Sequence, residues 1–124
     1  MAADQIPGNR NVAVGANDAL QVGGDHQLQV LRNDNVTVQA NQTLTVGKNR
    51  SISVGQDLSV TVGKNVRIVA ADSLELVVGH ASVLLKKDGA VRIGSRDSTV
   101  EGDGNISVQE SKDIALKGSK ILQN

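Results

Sequence analysis

Aliphatic pairs separated by one residue return every eight positions: Val12/Val14, Leu20/Val22, Leu28/Val30, Val36/Val38, Leu44/Val46, Ile52/Val54 and Val60/Val62. Ile68/Ala70 and Leu76/Val78 continue the count. We number each octad so that the pair takes its sixth and eighth places. The first place is then Gly at Gly15, Gly23, Gly47, Gly55, Gly63 and Gly79. The third is Asn or Asp in every octad from Asn9 to Asn65. Such a period marks a repeat architecture, because a short unit cannot bury its apolar side alone and must stack on neighbours. It also excludes helix. A pair every eight residues makes no stripe at 3.6-residue spacing, and a Gly inside nearly every window disfavours helix further.

Each octad reads as a short strand followed by a corner. Around the pairs, apolar and polar residues alternate with the period of two that a half-buried strand requires. Gln27 and Gln29, Thr43 and Thr45, and Ser51 and Ser53 fall on the side expected to meet water. At the corner, Gly is expected to supply backbone freedom and Asn or Asp to accept left-handed dihedrals. The expected core is Leu28, Val30, Leu44, Val46, Ile52, Val54, Val60, Val62, Ile68, Leu76, Ile106, Val108, Ile114 and Leu116. Near Val83 the phase changes: Val83/Leu85 and Val91/Ile93 come one residue early, around Asp88-Gly89. It moves again at Ser98/Val100 and then runs through Ile106/Val108 and Ile114/Leu116. The expected organisation is a short N-terminal stub, residues 1–8, and a single octad-repeat domain, residues 9–124, with register shifts near 83–100.

Composition narrows the function classes. The 124 residues include no Phe, Trp, Tyr or Cys, 13 Gly, and 13 basic against 13 acidic side chains. Disulfide frameworks and thiolate zinc sites need cysteines. Nucleic-acid surfaces need positive charge and stacking rings, so no nucleic-acid partner is expected. An apolar fraction of 39% at zero net charge is not the signature of disorder. No run reaches the length of a transmembrane helix, and the N-terminus shows no charged-then-apolar secretory pattern. A membrane barrel needs strands of about 9–11 residues and aromatic girdles. Three octads could close a triangular coil within one chain, or three chains could wind together so that neighbouring strands belong to different subunits. Periodicity leaves both open; a narrow triangular bore, which selects medium aliphatics and excludes rings, favours the trimer.

The octads Val46-Gly47-Lys48-Asn49 and Val62-Gly63-Lys64-Asn65 resemble the C-terminal needle of VgrG proteins, spikes of the bacterial type VI secretion system related to phage cell-puncturing needles. Ala81-Ser82-Val83-Leu84-Leu85-Lys86-Lys87-Asp88-Gly89 and Lys117-Gly118-Ser119-Lys120-Ile121 are similar to that family's closing repeats. Leu31 and Gln39 depart from it by replacing the corner Gly. The resemblance implies an all-β fold, an intertwined triple-stranded β-helix forming a homotrimeric needle. It implies a preceding hub region, which makes this chain a piece of a longer protein. It also implies a PAAR-type tip protein seated on Ser119, Lys120, Ile121, Leu122, Gln123 and Asn124, a secretion tube and effectors as further partners, and transient membrane contact. The location expected is the bacterial cytoplasm during assembly, then the envelope of a target cell.

No catalytic constellation or cofactor site is expected. His26 and His80 stand at corner places that are ordinarily exposed, although a histidine on a three-fold axis can build a three-nitrogen metal site. Asp and Ser recur as repeat fillers without an accompanying base, so a triad has no basis. Calcium-binding rolls repeat every nine residues, and Gly23-Gly24-Asp25 matches them only in part. Gly102-Asp103-Gly104 reads as a turn, since no helix follows to hold an anion. The expected function is a rigid non-enzymatic needle. The alternatives are a single-chain β-solenoid adhesin or scaffold, and the spike of a contractile phage or phage-like toxin particle.

Overall fold

Backbone hydrogen bonding within the chain is concentrated in one segment. A computed structural model, which describes residues 3–124, contains β1 (Ser73–Val78), β2 (Ala81–Lys86) and β3 (Val91–Gly94). They form one antiparallel sheet in the order β1-β2-β3. No helix occurs among the described residues, so the chain is all-β, as the octads lead one to expect. Every backbone–backbone hydrogen bond among the described residues lies between Asp72 and Gly94. The octads before and after this segment make none within their own chain.

The chain divides into a unit ending at Gly55 and a unit from Gln56 to Asn124. In the first, bends fall every eight residues, at Pro7-Gly8, Gly15-Ala16, Gly23-Gly24, Leu31-Arg32, Gln39-Ala40 and Gly47-Lys48. In the second they fall at Gly63-Lys64 and Ala71-Asp72, then beyond the sheet at Arg96-Asp97, Asp103-Gly104 and Ser111-Lys112. Side-chain exposure repeats with the bends. From Val14 to Val62 the eighth-place valines are 42–48% exposed, and from Val12 to Val60 the sixth-place residues are 61–76% exposed. One local conformation therefore recurs octad after octad.

The corners do not use glycine as the sequence suggests. Among the described residues only Gly79 (φ 54°) and Gly89 (φ 93°) take positive φ, and no other residue type does. Leu31 and Gln39 bend the chain at the same place as the glycines do. Of the first-place glycines only Gly79 adopts left-handed geometry, and no third-place Asn or Asp among the described residues does. It is confined to the two turns of the sheet.

Those turns have definite chemistry. Val78 pairs with Ala81, so Gly79-His80 is a two-residue hairpin loop. Gly79 takes the positive φ that a type II′ turn requires at its first central position. Between β2 and β3, the Gly89 N–H donates to the Lys86 carbonyl and the Lys86 N–H to the Ala90 carbonyl, both at 3.0 Å. The Ala90 N–H donates to Asp88 Oδ1 at 3.0 Å, a local aspartate bond of the kind that favours Asp in turns. Lys87 ties this loop back to Asp72 twice, N–H to carbonyl at 3.0 Å and Nζ to Oδ1 at 3.4 Å.

The sheet also accounts for the change of phase near Val83. Across a two-residue hairpin loop, even-numbered residues of β1 share a face with odd-numbered residues of β2. Leu74 meets Leu85, Leu76 meets Val83 and Val78 meets Ala81. A one-residue advance of the apolar pair is therefore what keeps it on one face. The second connection preserves parity, with Val83 opposite Ile93 and Leu85 opposite Val91, and there the pairs keep their phase.

Candidate functional site: a repeated aliphatic interface

A strand places alternate side chains on one side, so the fourth, sixth and eighth places of an octad share a side. In the first unit the sixth and eighth places are aliphatic, while the fourth is Arg10, Asp18, His26, Asp34, Gln42 and Arg50 in turn. In the second unit the fourth place becomes Leu58, Val66 and Leu74, so all three places are aliphatic. The strip thus changes character where the two units divide.

Nothing within one chain covers this strip. No described residue is buried, and the expected core residues Leu28, Val30, Leu44, Val46, Ile52, Val54, Val60, Val62, Ile68, Leu76, Ile106, Val108, Ile114 and Leu116 are all exposed in the single chain. Exposed aliphatic area on this scale marks an interaction surface rather than a solvent face. Backbone groups carry the same implication, because unpaired N–H and C=O groups along a strand are a template for pairing with another strand. At the corners Gly15, Gly23, Gly47, Gly55 and Gly63, an added Cβ would meet no atom of the chain within 4 Å.

The sheet contributes a second apolar surface, absent from the sequence reading as a site. Leu74, Leu76, Val78, Ala81, Val83, Leu85, Val91 and Ile93 share one face by register. Ser73, Glu75, Ser82, Lys86 and Arg92 lie on the other, with Val77 and Leu84. A groove runs along the apolar face between Leu76, Val83 and Ile93 and the segment ending at Val100. The signals for it were the phase slip and the glycines at 79 and 89.

The remaining expected positions are simpler. Ser119 to Asn124 are exposed, with Ile121 and Leu122 presenting apolar side chains and a bend at Ser119. His26 and His80 are exposed, and no group of three His, Cys, Asp or Glu side chains stands together among the described residues. The Glu110 carboxylate accepts hydrogen bonds from the Ser111 N–H (2.8 Å), the Lys112 N–H (3.3 Å) and the Ser111 hydroxyl (3.2 Å). These bonds, the Ser111 N–H foremost, hold its pKa below the ordinary 4.5 and tie down the corner at Ser111-Lys112.

No curated protein matches the chain. The family model of the bacteriophage T4 gp5 C-terminal trimerisation domain matches residues 2–78, from the first octads through the end of β1. That segment is well over half of the 124 residues, and the chain belongs to the family of the bacteriophage T4 gp5 C-terminal trimerisation domain, a phage-needle-related spike family.

Proposed function

We propose that this chain is the needle segment of a cell-puncturing spike, in which three copies wind into an intertwined triple-stranded β-helix. One observation carries the reading. The octads repeat a single conformation while leaving their backbone groups unpaired within the chain and their aliphatic strip exposed. A single-chain solenoid needs octad-to-octad ladders inside one chain, and none exists among the described residues. Three chains supply both the ladder and the cover, and membership in a trimerisation-domain family supports that number. Closed around an axis, the ladder distributes axial load over many hydrogen bonds, and close-packed aliphatics resist collapse.

The needle is non-enzymatic in this reading and is driven rather than self-inserting. Its outer Ser, Thr and Gln give the shaft no affinity for a bilayer, so contraction of a sheath supplies the work. Within the family we assign it to a VgrG spike of a type VI secretion system, assembled in the bacterial cytoplasm and delivered with effectors into a target envelope. The two Val-Gly-Lys-Asn octads and the closing repeats support that assignment, as does a Ser119–Asn124 segment suited to a PAAR-type tip. The phage origin of the matched family favours a second reading, the spike of a contractile phage or phage-like toxin particle.

Light-scattering mass tests the assembly. Three times 12.9 kDa is expected, and a mass of 12.9 kDa refutes it. Val54→Asp should abolish the trimer and Ser53→Asp should leave it intact; equal effects refute the inward assignment. Calorimetric titration with a purified PAAR-type tip separates the two spike readings. Saturable binding lost in Leu122→Asp supports the VgrG assignment, and no binding refutes it.

A further inference from the structure

Three chains built from octads face a problem of register. A slip of eight residues returns aliphatic pair to aliphatic pair and Asn or Asp to Asn or Asp, and returns Gly to Gly except around Leu31, Gln39 and Ala71, so the repeat resists it weakly. The fourth-place charges favour slipping. Three-fold symmetry sets three Asp18 side chains at one level and three Asp34 side chains at another, each group of like sign. Moving one chain by an octad in one direction would bring Asp18 level with Arg10, exchanging repulsion for attraction. Within the first unit, where every fourth place is polar, the octads themselves do little to hold the chains level.

The β1–β3 sheet is the non-repeating element able to do so. It is hydrogen-bonded within each chain, so it is a defined shape before assembly. Its face carries two rows, Leu74–Leu85–Val91 and Leu76–Val83–Ile93, without a charged or polar side chain. Leu76 and Ile93 are 61% and 72% exposed. The matched trimerisation segment extends through all of β1, so this face begins inside the proposed interface and continues it. We propose that the apolar face of the sheet packs against the same face of two other copies of this chain and fixes the axial register of the three. The inference rests on the trimeric reading above.

The test uses the full chain, which has no native cysteine, carrying one nitroxide at Ser51→Cys on the outward side. The parent trimer should give one narrow inter-label distance. Ile93→Asp should yield either monomer or a trimer whose distribution broadens to longer distances. The milder Ile93→Ala, which keeps the sheet's backbone bonds, should broaden it while the mass stays trimeric. Val77→Asp, on the opposite face, should match the parent. A narrow single distance in both Ile93 variants overturns the register role and leaves the trimer standing. Equal disruption by Val77→Asp and Ile93→Asp overturns the face assignment. A parent chain that scatters at 12.9 kDa overturns the trimer itself, and this inference with it.

Discussion

Two glycine substitutions should shift stability in opposite directions. Gly79 holds φ at 54° in the two-residue loop between β1 and β2. Space is not its constraint, since an added Cβ would meet nothing within 4 Å. Conformation is. Placing Ala there forces an L-residue into a sparsely populated region, at about 1–3 kcal/mol. Every chain of a trimer carries the strain, so the assembled needle loses about 3–9 kcal/mol. Gly47 is the counterexample. Its φ is not positive, an added Cβ meets nothing, and Leu31 and Gln39 occupy the same place in their own octads. Gly47→Ala should therefore raise stability by about 0.4–1 kcal/mol per chain, by restricting the unfolded state. Denaturant midpoints followed by far-ultraviolet circular dichroism measure both, because a chain without aromatic residues offers no intrinsic fluorescence. A neutral Gly79→Ala refutes the turn assignment. A destabilising Gly47→Ala refutes the view that corner glycines are replaceable and shows another chain pressing on that site.

Gln42→Leu extends the aliphatic fourth place of Leu58 and Val66 into the first unit and should stabilise the needle by about 1.5–3 kcal/mol per chain if that place is covered on assembly; an unchanged midpoint places it outward. Glu110 has a folded pKa held below 4.5, so its contribution to the corner at Ser111-Lys112 is present above the unfolded value and is lost as pH falls through the folded one. A carboxyl titration by nuclear magnetic resonance should find its midpoint below 4.5, and a midpoint at or above it refutes the three hydrogen bonds. Asp72→Ala removes an ion pair whose side chains are 84% and 73% exposed, but spares the backbone bond from Lys87 to the Asp72 carbonyl. The midpoint should not move measurably, and a large loss would show the loop to depend on that pair.

The octad was legible because three places recur in phase: Gly15 through Gly63 at the first, Asn or Asp at the third, the aliphatic pair at the sixth and eighth. From these the all-β class, the corner spacing and the aliphatic strip follow without coordinates. Backbone dihedrals at the corners did not follow. Gly permits positive φ but does not demand it, and Leu31 and Gln39 were the residues that disclosed as much, since neither adopts it readily. Glu110 was also illegible. Nothing in its spacing distinguishes it from any other exposed acid, and only the turn at Ser111-Lys112 brings the two N–H groups to its carboxylate.

The sheet was written in the sequence, but as a disturbance. A repeat whose apolar pair advances by one residue can be slipping within an array, or it can be turning back on itself. Parity decides between them. A slip by one moves every later side chain to the opposite face, which a strand with one covered side does not tolerate. Reversal through a two-residue loop requires that same slip, because paired residues then have numbers of odd sum. Leu76 opposite Val83 and Leu74 opposite Leu85 satisfy it. The loop must also contain a residue at ease with positive φ, and Gly79 stands at its first position. The phase change after Gly94 is met by no further strand pairing, whereas the one with Gly79 at the break marks a hairpin. In this chain that break specifies the segment that is hydrogen-bonded within itself, and the octads on either side are left unpaired within the chain.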